Sequence, residues 1–335
     1  MNAPLVSMII PNWNGAKNIR ELLLSLSALD YPKESMEVIV VDNASVDDSR
    51  EVIRAEFERM KGEGWHALKL IENDRNLGAP AAYNQAIGGA DEGCVYLLKL
   101  DNDVVLEPDC VSRLVAAAER DPGCGAVGPK VYFKGSDREL NYAGGLLEWW
   151  PFRQRIIGLG EKDSGQYDGA TEQDFLHGCA TLLRKSVIDA VGAFDETFYI
   201  YHDDVDLNLR IKRAGYRLLY VPEAVVWHER KATPVKGESS NRKVIEQRNL
   251  FLLLRRYARR IQRVRYHGGV IFIILKGIAS RLGWKGRDKS DEAIFYLKAY
   301  REYLAYRARE LLSHGKALSG PCREGERPAV ERRKR

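Results

Sequence analysis

The sequence predicts an α/β protein whose mostly parallel central sheet is flanked by helices, with a basic helical region toward the C-terminus. Short, nearly continuous apolar runs of strand length alternate with stretches whose apolar residues recur at helical spacing. Polar clusters follow several of these runs, and basic residues are concentrated in the last third of the chain. Strands that alternate with helices are typical of a parallel sheet covered by helices on both faces.

The first hundred residues contain four predicted strands with three helices between them. Each strand is an apolar run of the kind that is buried on both faces of a parallel sheet. The predicted strands cover residues 5–11, 37–41, 67–71 and 95–100. The predicted helices cover residues 19–29, a stretch through 52–57 that Asp47 or Asp48 can cap, and residues 80–90.

The following 130 residues continue the pattern, with one long interruption. Helices are predicted over residues 108–119, 185–191 and 205–214, and strands over 125–133, within 175–184, and over 216–221 and 225–229. Residues 134–175 are rich in Gly, Trp and charged residues. This composition predicts a long excursion from the alternating strands and helices, with a small hairpin beside the ligand-binding site described below. In this excursion Trp149 and Trp150 could stack on a sugar ring or pack in the core.

Three polar clusters follow predicted strands, at residues 12–14, 42–43 and 101–103. In parallel sheets, ligands bind outside the carboxyl ends of the strands, so these clusters predict a nucleotide site. Asp101 and Asp103 can converge on one hard cation that keeps open positions for diphosphate oxygens. Asp-Asn-Asp is also common in surface turns, which is the alternative interpretation. The glycine motifs of dinucleotide-binding and P-loop proteins are absent.

Two further candidates lie near the end of this region. Asp203 and Asp204 open a predicted helix, where carboxylates are favoured by the helix dipole, so simple capping is one interpretation. A carboxylate fixed at a helix start is also available as a general base. His228 follows an apolar strand, where a lone histidine is usually a packed or surface residue.

The net charge of +5 conceals an acidic body and a basic tail. Residues 1–230 contain 25 Lys and Arg against 37 Asp and Glu, whereas residues 231–335 contain 27 against 10. The apolar run 270–275 is interrupted by Lys276 and falls short of the ~20 residues that span a bilayer. A basic amphipathic stretch of this kind predicts contact with an anionic membrane surface. Nucleic-acid binding and packing of a helical hairpin on the body are the alternatives.

Cysteine usage and the N-terminus bear on the compartment. Five cysteines without a Cys-x-x-Cys pair argue against a disulfide framework or a zinc site. The first residues lead into a strand without a basic region or a cleavable apolar segment. We therefore expect a cytoplasmic protein, peripheral on the inner face of the plasma membrane.

Seven blocks in order carry a resemblance to a known family. They are VSMIIPNWNG (6–15), VVDNASVD (40–47), NLG (76–78) with Asn84, LDND (100–103), GAFD (192–195), HDDVDL (202–207) and WH (227–228). Together they resemble the family 2 inverting nucleotide-sugar glycosyltransferases with the GT-A fold, closest to the rhamnosyltransferase-like branch. The resemblance covers about residues 4–230 and implies a catalytic domain over residues 1–230. The charge pattern separately predicts a basic amphipathic helical region (231–319), and the chain end (320–335) is expected to be disordered.

The resemblance also implies roles for individual residues. Asp204 is the expected catalytic base and Asp203 its supporting neighbour, at a position where the family usually has Glu. Metal ligands for Mn²⁺ or Mg²⁺ are expected to be Asp101, Asp103 and His228. Asp42 is expected to bind the nucleotide base. The expected donor-binding residues are Pro11, Asn14, Asp42, Asn43, Asn76, Gly78, Asn84 and Asp101.

The expected activity follows from these roles. It is metal-dependent, inverting transfer of a sugar from a nucleotide-diphosphate donor, of the dTDP-rhamnose or UDP-sugar type, to a hydroxyl of a glycan or lipid-linked acceptor in cell-surface polysaccharide synthesis. A non-catalytic nucleotide-sugar or carbohydrate-binding relative is the alternative. No nucleic-acid partner is expected, because the acidic body would repel a phosphate backbone.

Overall fold

A ten-stranded mixed sheet forms the centre of the protein. The structure is a computed structural model that describes residues 3–150, 152–230, 238–281 and 290–318. The chain divides into two compact units, Met1–Phe272 and Ile273–Arg335, and the sheet belongs to the first. The tail predicted to be disordered, residues 320–335, lies outside the described residues, as do parts of the predicted 231–319 region.

Strands and helices alternate through the first unit as the sequence predicts. The strands are β1 (Val6–Asn12), β2 (Met36–Asp42), β3 (Ala67–Glu72), β4 (Tyr96–Leu100), β5 (Val104–Leu106), β6 (Cys124–Phe133), β7 (Leu140–Tyr142), β8 (Gly145–Trp149), β9 (Phe152–Ile156), β10 (Thr171–Glu172), β11 (Ala180–Arg184) and β12 (Arg217–His228). The α-helices within the described ranges are α1 (Ala16–Ser27), α2 (Ser49–Met60), α3 (Ala79–Gly88), α4 (Cys110–Arg120), α5 (Lys185–Val191), α6 (Asp203–Arg213), α7 (Glu238–Tyr257), α8 (Arg260–Arg281) and α9 (Ser290–Leu318).

The strand order of the sheet is β10-β12-β6-β11-β4-β1-β2-β3, with β5 beside β12 and β7 beside β6. Strands β4, β1, β2 and β3 run parallel, as do β6 and β12. Strand β11 runs antiparallel between β4 and β6. The α/β class is confirmed, and the sheet is mixed because β11 runs antiparallel in its centre and the short strands β5, β7 and β10 pair antiparallel with β12 or β6.

Burial accounts for the apolar runs. Every residue of β2 and β4 is buried, as expected for strands with neighbours on both sides and helices on both faces. The helices bury one stripe each, shown by Ile19, Leu22, Leu23 and Leu26 of α1. Each such aliphatic side chain stabilises the fold by about 1.5–3 kcal/mol relative to an exposed position.

The excursion at 134–175 is held to the sheet by a buried ion pair. Lys130 of β6 is buried and its Nζ lies 2.9 Å from Asp163 and 2.5 Å from Asp168. Strands β8 and β9 form the predicted hairpin, on which Trp149 packs against Phe152 with ring centroids 5.6 Å apart. Trp150, at the hairpin turn, is 48% exposed and is therefore not a core residue.

The first unit continues beyond residue 230 into helix α7. Phe251, Leu252, Leu253 and Leu254 of this helix are buried to 1% exposure or less. Burial of four consecutive large side chains accounts for the inclusion of α7 in the compact unit that contains the sheet. None of the helices in the described ranges is long and apolar enough to cross a membrane.

Candidate active site

The polar clusters at the ends of β1, β2 and β4 meet at one edge of the sheet. Asn12 and Asp42 are paired in the register of β1 and β2, and Asn12 Nδ2 donates to Asp42 Oδ1 at 3.1 Å. Asn102, in the loop after β4, donates to Asn12 Oδ1 at 2.7 Å. The three clusters singled out in the sequence therefore form one hydrogen-bonded rim.

Asp42 lies beneath the surface of this rim. Its side chain is fully buried and accepts hydrogen bonds from the Ser45 amide at 3.0 Å and from Arg50 Nε at 2.7 Å. Burial raises the pKa of Asp42, but the hydrogen bonds from Ser45, Arg50 and Asn12 outweigh that effect and lower it overall. In this conformation the carboxylate holds the loop after β2 in place. Its contact with a nucleotide base stays a prediction.

The predicted donor-binding loop at 76–78 is tied to the end of β2 by Asn43. The Asn43 amide donates to Asn76 Oδ1 and to the Gly78 carbonyl, each at 3.1 Å. Gly78 has a φ of +89°, and a Cβ there would lie 2.6 Å from the carbonyl oxygen of Tyr199. Glycine is therefore required at this position for both conformation and space. A cavity opens beside this loop, lined by Asn73, Asp74, Arg75 and Leu77.

The remaining predicted donor-binding residues differ in their surroundings. Pro11 is half-buried at the end of β1, and Asn14 is exposed, with its Oδ1 accepting from the Val46 amide at 2.8 Å. Asn84 joins α3 to the turn after α5, because it donates to the Phe194 carbonyl at 2.8 Å and accepts from the Phe194 amide at 2.9 Å. Asn84 thus fastens two elements together, and its contact with a donor stays a prediction.

The three predicted metal ligands come together. One ligand atom from each of Asp101, Asp103 and His228 lies within 4.8 Å of the others. His228 ends β12 beside β5, which starts directly after Asp103, so strand pairing brings the histidine to the carboxylates. Asp101 also accepts a hydrogen bond from the Tyr83 hydroxyl at 2.7 Å.

The chemistry of this group fits a divalent cation. Asp103 Oδ1 and His228 Nε2 are buried and 3.2 Å apart, yet neither has a hydrogen-bond partner among the described residues. Unsatisfied buried polar atoms are costly, and a cation between them would satisfy both. The other ring nitrogen of His228 lies 3.4 Å from Asn141 Oδ1. Because an amide oxygen can only accept, this contact puts the proton on Nδ1 and leaves Nε2 as a ligand atom.

A buried lysine lies behind these carboxylates. Lys99, in the middle of an otherwise apolar strand, has its Nζ 3.3 Å from Asp101 Oδ1 and 4.3 Å from the centre of the Tyr83 ring. The same nitrogen donates to the Gly178 carbonyl. Burial lowers the pKa of Lys99, but the carboxylates of Asp101, Asp203 and Asp204 outweigh it and raise the pKa overall. A lysine within a predicted buried strand was the sequence signal for this residue, which was not among the predicted site residues.

Asp203 and Asp204 lie on the other side of Gly178. A Cβ on Gly178 would be 2.6 Å from Asp204 Oδ2, so glycine allows the start of α6 to approach β11. Burial and the neighbouring Asp204 raise the pKa of Asp203 to about 7. Burial also raises the pKa of Asp204, with Lys99 opposing the change. Asp204 is the less buried of the two and accepts from the Val205 amide at 2.8 Å.

The backbone that leads into this acidic pair is strained. Tyr199, Tyr201 and His202 all have positive φ, of 60°, 68° and 63°. The Ile200 amide donates to the Phe198 carbonyl at 2.6 Å, which makes Tyr199 the centre of a γ-turn of the rare positive-φ kind. Such conformations cost about 1–3 kcal/mol each and persist only where the surroundings hold them.

His202 connects this loop to the hairpin. Gln154 of β9 lies 2.6 Å from His202 Nδ1, and because an amide nitrogen only donates, that ring nitrogen accepts. Burial lowers the pKa of His202 to about 4, so the ring is neutral at neutral pH. The excursion predicted to lie beside the site therefore contacts the residue that precedes the acidic pair.

Comparisons with known proteins agree with this geometry. The family described as glycosyl transferase family 2 matches residues 7–192. The N-acetylglucosaminyl-diphospho-decaprenol L-rhamnosyltransferase of Mycobacterium tuberculosis (strain CDC 1551 / Oshkosh) is 26% identical over 265 residues, covering 71% of this chain and 80% of the relative. This similarity supports the rhamnosyltransferase-like branch predicted from the sequence.

Two solved structures share the fold. The mannosyltransferase PcManGT from Pyrobaculum calidifontis, in complex with GDP-Man and Mn²⁺, superposes with a TM-score of 0.53 at 21% identity, over 95% of this chain and 83% of that one. GalNAc-T7, with UDP, GalNAc and Mn²⁺, superposes with a TM-score of 0.62 at 16% identity, over 93% and 58%. The predicted GT-A fold is confirmed, and since the family match covers more than half of the sequence, the chain belongs to glycosyl transferase family 2.

Proposed function

We propose that this glycosyltransferase moves a sugar from a nucleotide-diphosphate donor to a hydroxyl of a glycan or lipid-linked acceptor, with inversion and with a bound divalent cation. The observation that carries the proposal is that Asp101, Asp103 and His228 converge, while the buried Lys99 contacts Asp101 and interacts electrostatically with Asp204. A metal group and a base on opposite sides of the anomeric carbon would allow in-line displacement without a covalent enzyme intermediate.

Asp103 and His228 would hold the cation, with Asp101 completing the group. A divalent cation, Mn²⁺ or Mg²⁺, stabilises the negative charge that develops on a leaving diphosphate. The protein's part is to hold the ligand atoms in fixed positions. The Asn141 contact orients the His228 ring, and the Tyr83 hydroxyl orients Asp101. The loop at 76–78 and the cavity beside it are the proposed binding site for the nucleotide.

Asp204 is proposed as the general base. An acceptor hydroxyl is a poor nucleophile at neutral pH and must lose its proton during attack, so a carboxylate of raised pKa is suited to take it. Asp203 is more deeply buried and contributes through its charge. Lys99 limits how far the pKa of each carboxyl rises, since a buried cation favours their ionised forms.

The acceptor side is proposed to lie at a membrane surface. Helix α8 carries a stripe of exposed apolar side chains on one face, with spacings of three, four and seven: Ile261, Val264, Ile271, Phe272, Leu275 and Ile278. Exposed basic residues lie beside the stripe, at Arg259, Arg260, Arg265 and Lys276. An exposed apolar face bordered by basic residues fits the interface of an anionic bilayer. A lipid-linked acceptor and a peripheral location on the inner face of the plasma membrane agree with that surface.

The metal proposal predicts that nucleoside diphosphate binding depends on a divalent cation. Asp103→Ala removes one of three converging ligand atoms, so the affinity gained on adding Mn²⁺ should fall at least tenfold. Asp103→Glu should keep part of it. Titration calorimetry with UDP, dTDP and GDP, each with Mn²⁺ and with EDTA, measures this. Asp137→Ala, at an exposed carboxylate outside the group, is the matched control, and equal affinity in Mn²⁺ and EDTA would contradict the proposal.

If Asp204 is the general base, its substitution should slow the reaction without weakening nucleotide binding. Asp204→Asn keeps the size of the side chain, so nucleotide affinity should stay within about threefold of wild type. Release of nucleoside diphosphate from the sugar donor should fall by ~10²–10⁴-fold, the usual contribution of a general base. The rate is measured with the sugar nucleotide whose diphosphate binds in the calorimetric screen, and Asp203→Asn should cost less.

The pH dependence of the rate of diphosphate release also tests the assignment of Asp204 as the base. A base acts only when deprotonated, and burial raises the pKa of both carboxyls, that of Asp203 to about 7. Because the pKa of Asp204 is raised, the rate should fall with decreasing pH above the range in which an ordinary aspartate takes up its proton. Wild-type turnover by Asp204→Asn, or loss of donor binding together with activity, would rule out Asp204 as the base.

The membrane proposal predicts salt-sensitive binding to anionic vesicles. Charges on Ile271 and Leu275 would interrupt the apolar stripe, so the Ile271→Asp, Leu275→Asp double variant should pellet at least fivefold less with phosphatidylglycerol vesicles at low salt. Val46→Asp, at a 91% exposed position on the catalytic body, is the control. Substitution is preferable to truncation before α7, because α7 belongs to the first compact unit. Equal pelleting of both variants and the wild type would show that α8 is not the contact surface.

A further inference from the structure

Helix α7 contacts the strained loop in front of the acidic pair through one fully buried side chain. Asn249 Nδ2 donates to the carbonyl oxygens of Phe198, Ile200 and Tyr201 at 2.9, 2.7 and 2.8 Å. An amide nitrogen has two hydrogens, so one of them is shared between carbonyls. These carbonyls belong to the γ-turn and to the residues around it, which makes Asn249 a direct support of the positive-φ backbone.

Arg248 reinforces the same contact. Its guanidinium donates to the Thr197 carbonyl at 2.9 Å and to the Phe198 carbonyl at 3.2 Å. It also donates from Nε to Asn249 Oδ1 at 2.9 Å, which fixes the orientation of the amide. Two consecutive residues of α7 thus bind the carbonyl oxygens of four residues between 197 and 201.

A second anchor holds α7 to helix α6 itself. Asp206, three residues after Asp203, is fully buried and accepts hydrogen bonds from Arg256 at 2.9 Å and from the Tyr257 hydroxyl at 2.7 Å. Arg256 also forms an ion pair with Asp195 at 2.6 Å. The loop and the first turn of α6 are therefore held by α7 both before and after the acidic pair.

The opposite side of the loop faces the proposed donor site. The Ala79 amide, at the start of α3, donates to the Tyr199 carbonyl at 2.9 Å, and Gly78 leaves no room for a Cβ against the same residue. Tyr199 therefore lies between the 76–78 loop and the Asn249 contact. A loop held from both sides can keep a strained conformation that neither side would impose alone.

We propose that Asn249, oriented by Arg248, is a positioning residue that holds the strained 199–202 loop and thereby sets where Asp203 and Asp204 enter the active site. The catalytic consequence rests on the proposed function, but the structural one does not. The family match ends at residue 192, so neither the loop nor α7 falls within it. Helix α7 is thus part of the active-site scaffold, although it lies within the segment predicted from the sequence as a basic tail.

Full-length Asn249→Ala and Asn249→Asp test this inference against Leu253→Ala. The aspartate keeps the size of the side chain but replaces the donating amide with a carboxylate, which cannot bond the three carbonyls. Leu253 is equally buried on the same helix, and its substitution removes packing without removing those hydrogen bonds. The three variants are compared by melting temperature, hydrogen exchange of peptides spanning residues 198–206, and nucleoside diphosphate release.

In both Asn249 variants, the amides of residues 198–206 should exchange at least tenfold faster than in the wild type. In Leu253→Ala, these amides should exchange at close to the wild-type rate, even if the melting temperature falls by a similar amount. Diphosphate release should fall ~10²-fold in the Asn249 variants, because small displacements of catalytic groups have effects of that size. Nucleoside diphosphate affinity in Mn²⁺ should change less than threefold.

Two results would overturn the inference. Exchange of the 198–206 amides at the wild-type rate in both Asn249 variants would show that Asn249 does not hold the loop. Equal loss of turnover in Leu253→Ala would show that α7 acts through general stability. If the wild type itself releases no diphosphate, the proposed function fails, and the exchange experiment still decides whether Asn249 positions the loop.

Discussion

The proposed active site depends on one buried lysine, Lys99, and the carboxylates that interact with it. Lys99 is 4% exposed and contacts Asp101, while its charge also acts on Asp203 and Asp204. Acidic groups brought together in a poorly solvated space repel one another and tend to take up protons. A fixed ammonium group near them opposes that tendency at Asp203 and at Asp204, the proposed base. The strand register, the Gly178 approach and the start of α6 together bring these charges to the same place.

Much of the fold was predictable because the apolar runs are physically distinctive. A strand buried on both faces is largely apolar, so β1, β2 and β4 were recognisable, and polar residues after such strands lie at the carboxyl edge of the sheet. The grouping of Asp101, Asp103 and His228 was predicted by resemblance and is found in the structure. Strand direction was not predictable for β11, because alternation and burial look the same for parallel and antiparallel neighbours.

Other parts of the site depend on contacts that no local pattern encodes. Lys99 interrupts an apolar strand, but its partners Asp203 and Asp204 lie about a hundred residues away in the chain. Asp42 sits at the predicted strand end, yet its burial follows from Arg50 and Ser45, which close over it. The role of Asn249 follows from three carbonyls that point out of a strained loop, and φ angles cannot be derived from residue types such as tyrosine and histidine.

We propose that a divalent cation and Asp204 lie on either side of the reacting centre of a bound sugar nucleotide. A crystal structure of the protein with Mn²⁺ and the nucleoside diphosphate that binds it tests this most directly, with the metal located by anomalous scattering. We expect an anomalous peak within coordination distance of Asp103 and His228 that also contacts the diphosphate, with the Asp204 carboxylate facing the open side of that diphosphate. A peak elsewhere on the protein, or a diphosphate bound away from the carboxyl ends of β1 and β4, would contradict it.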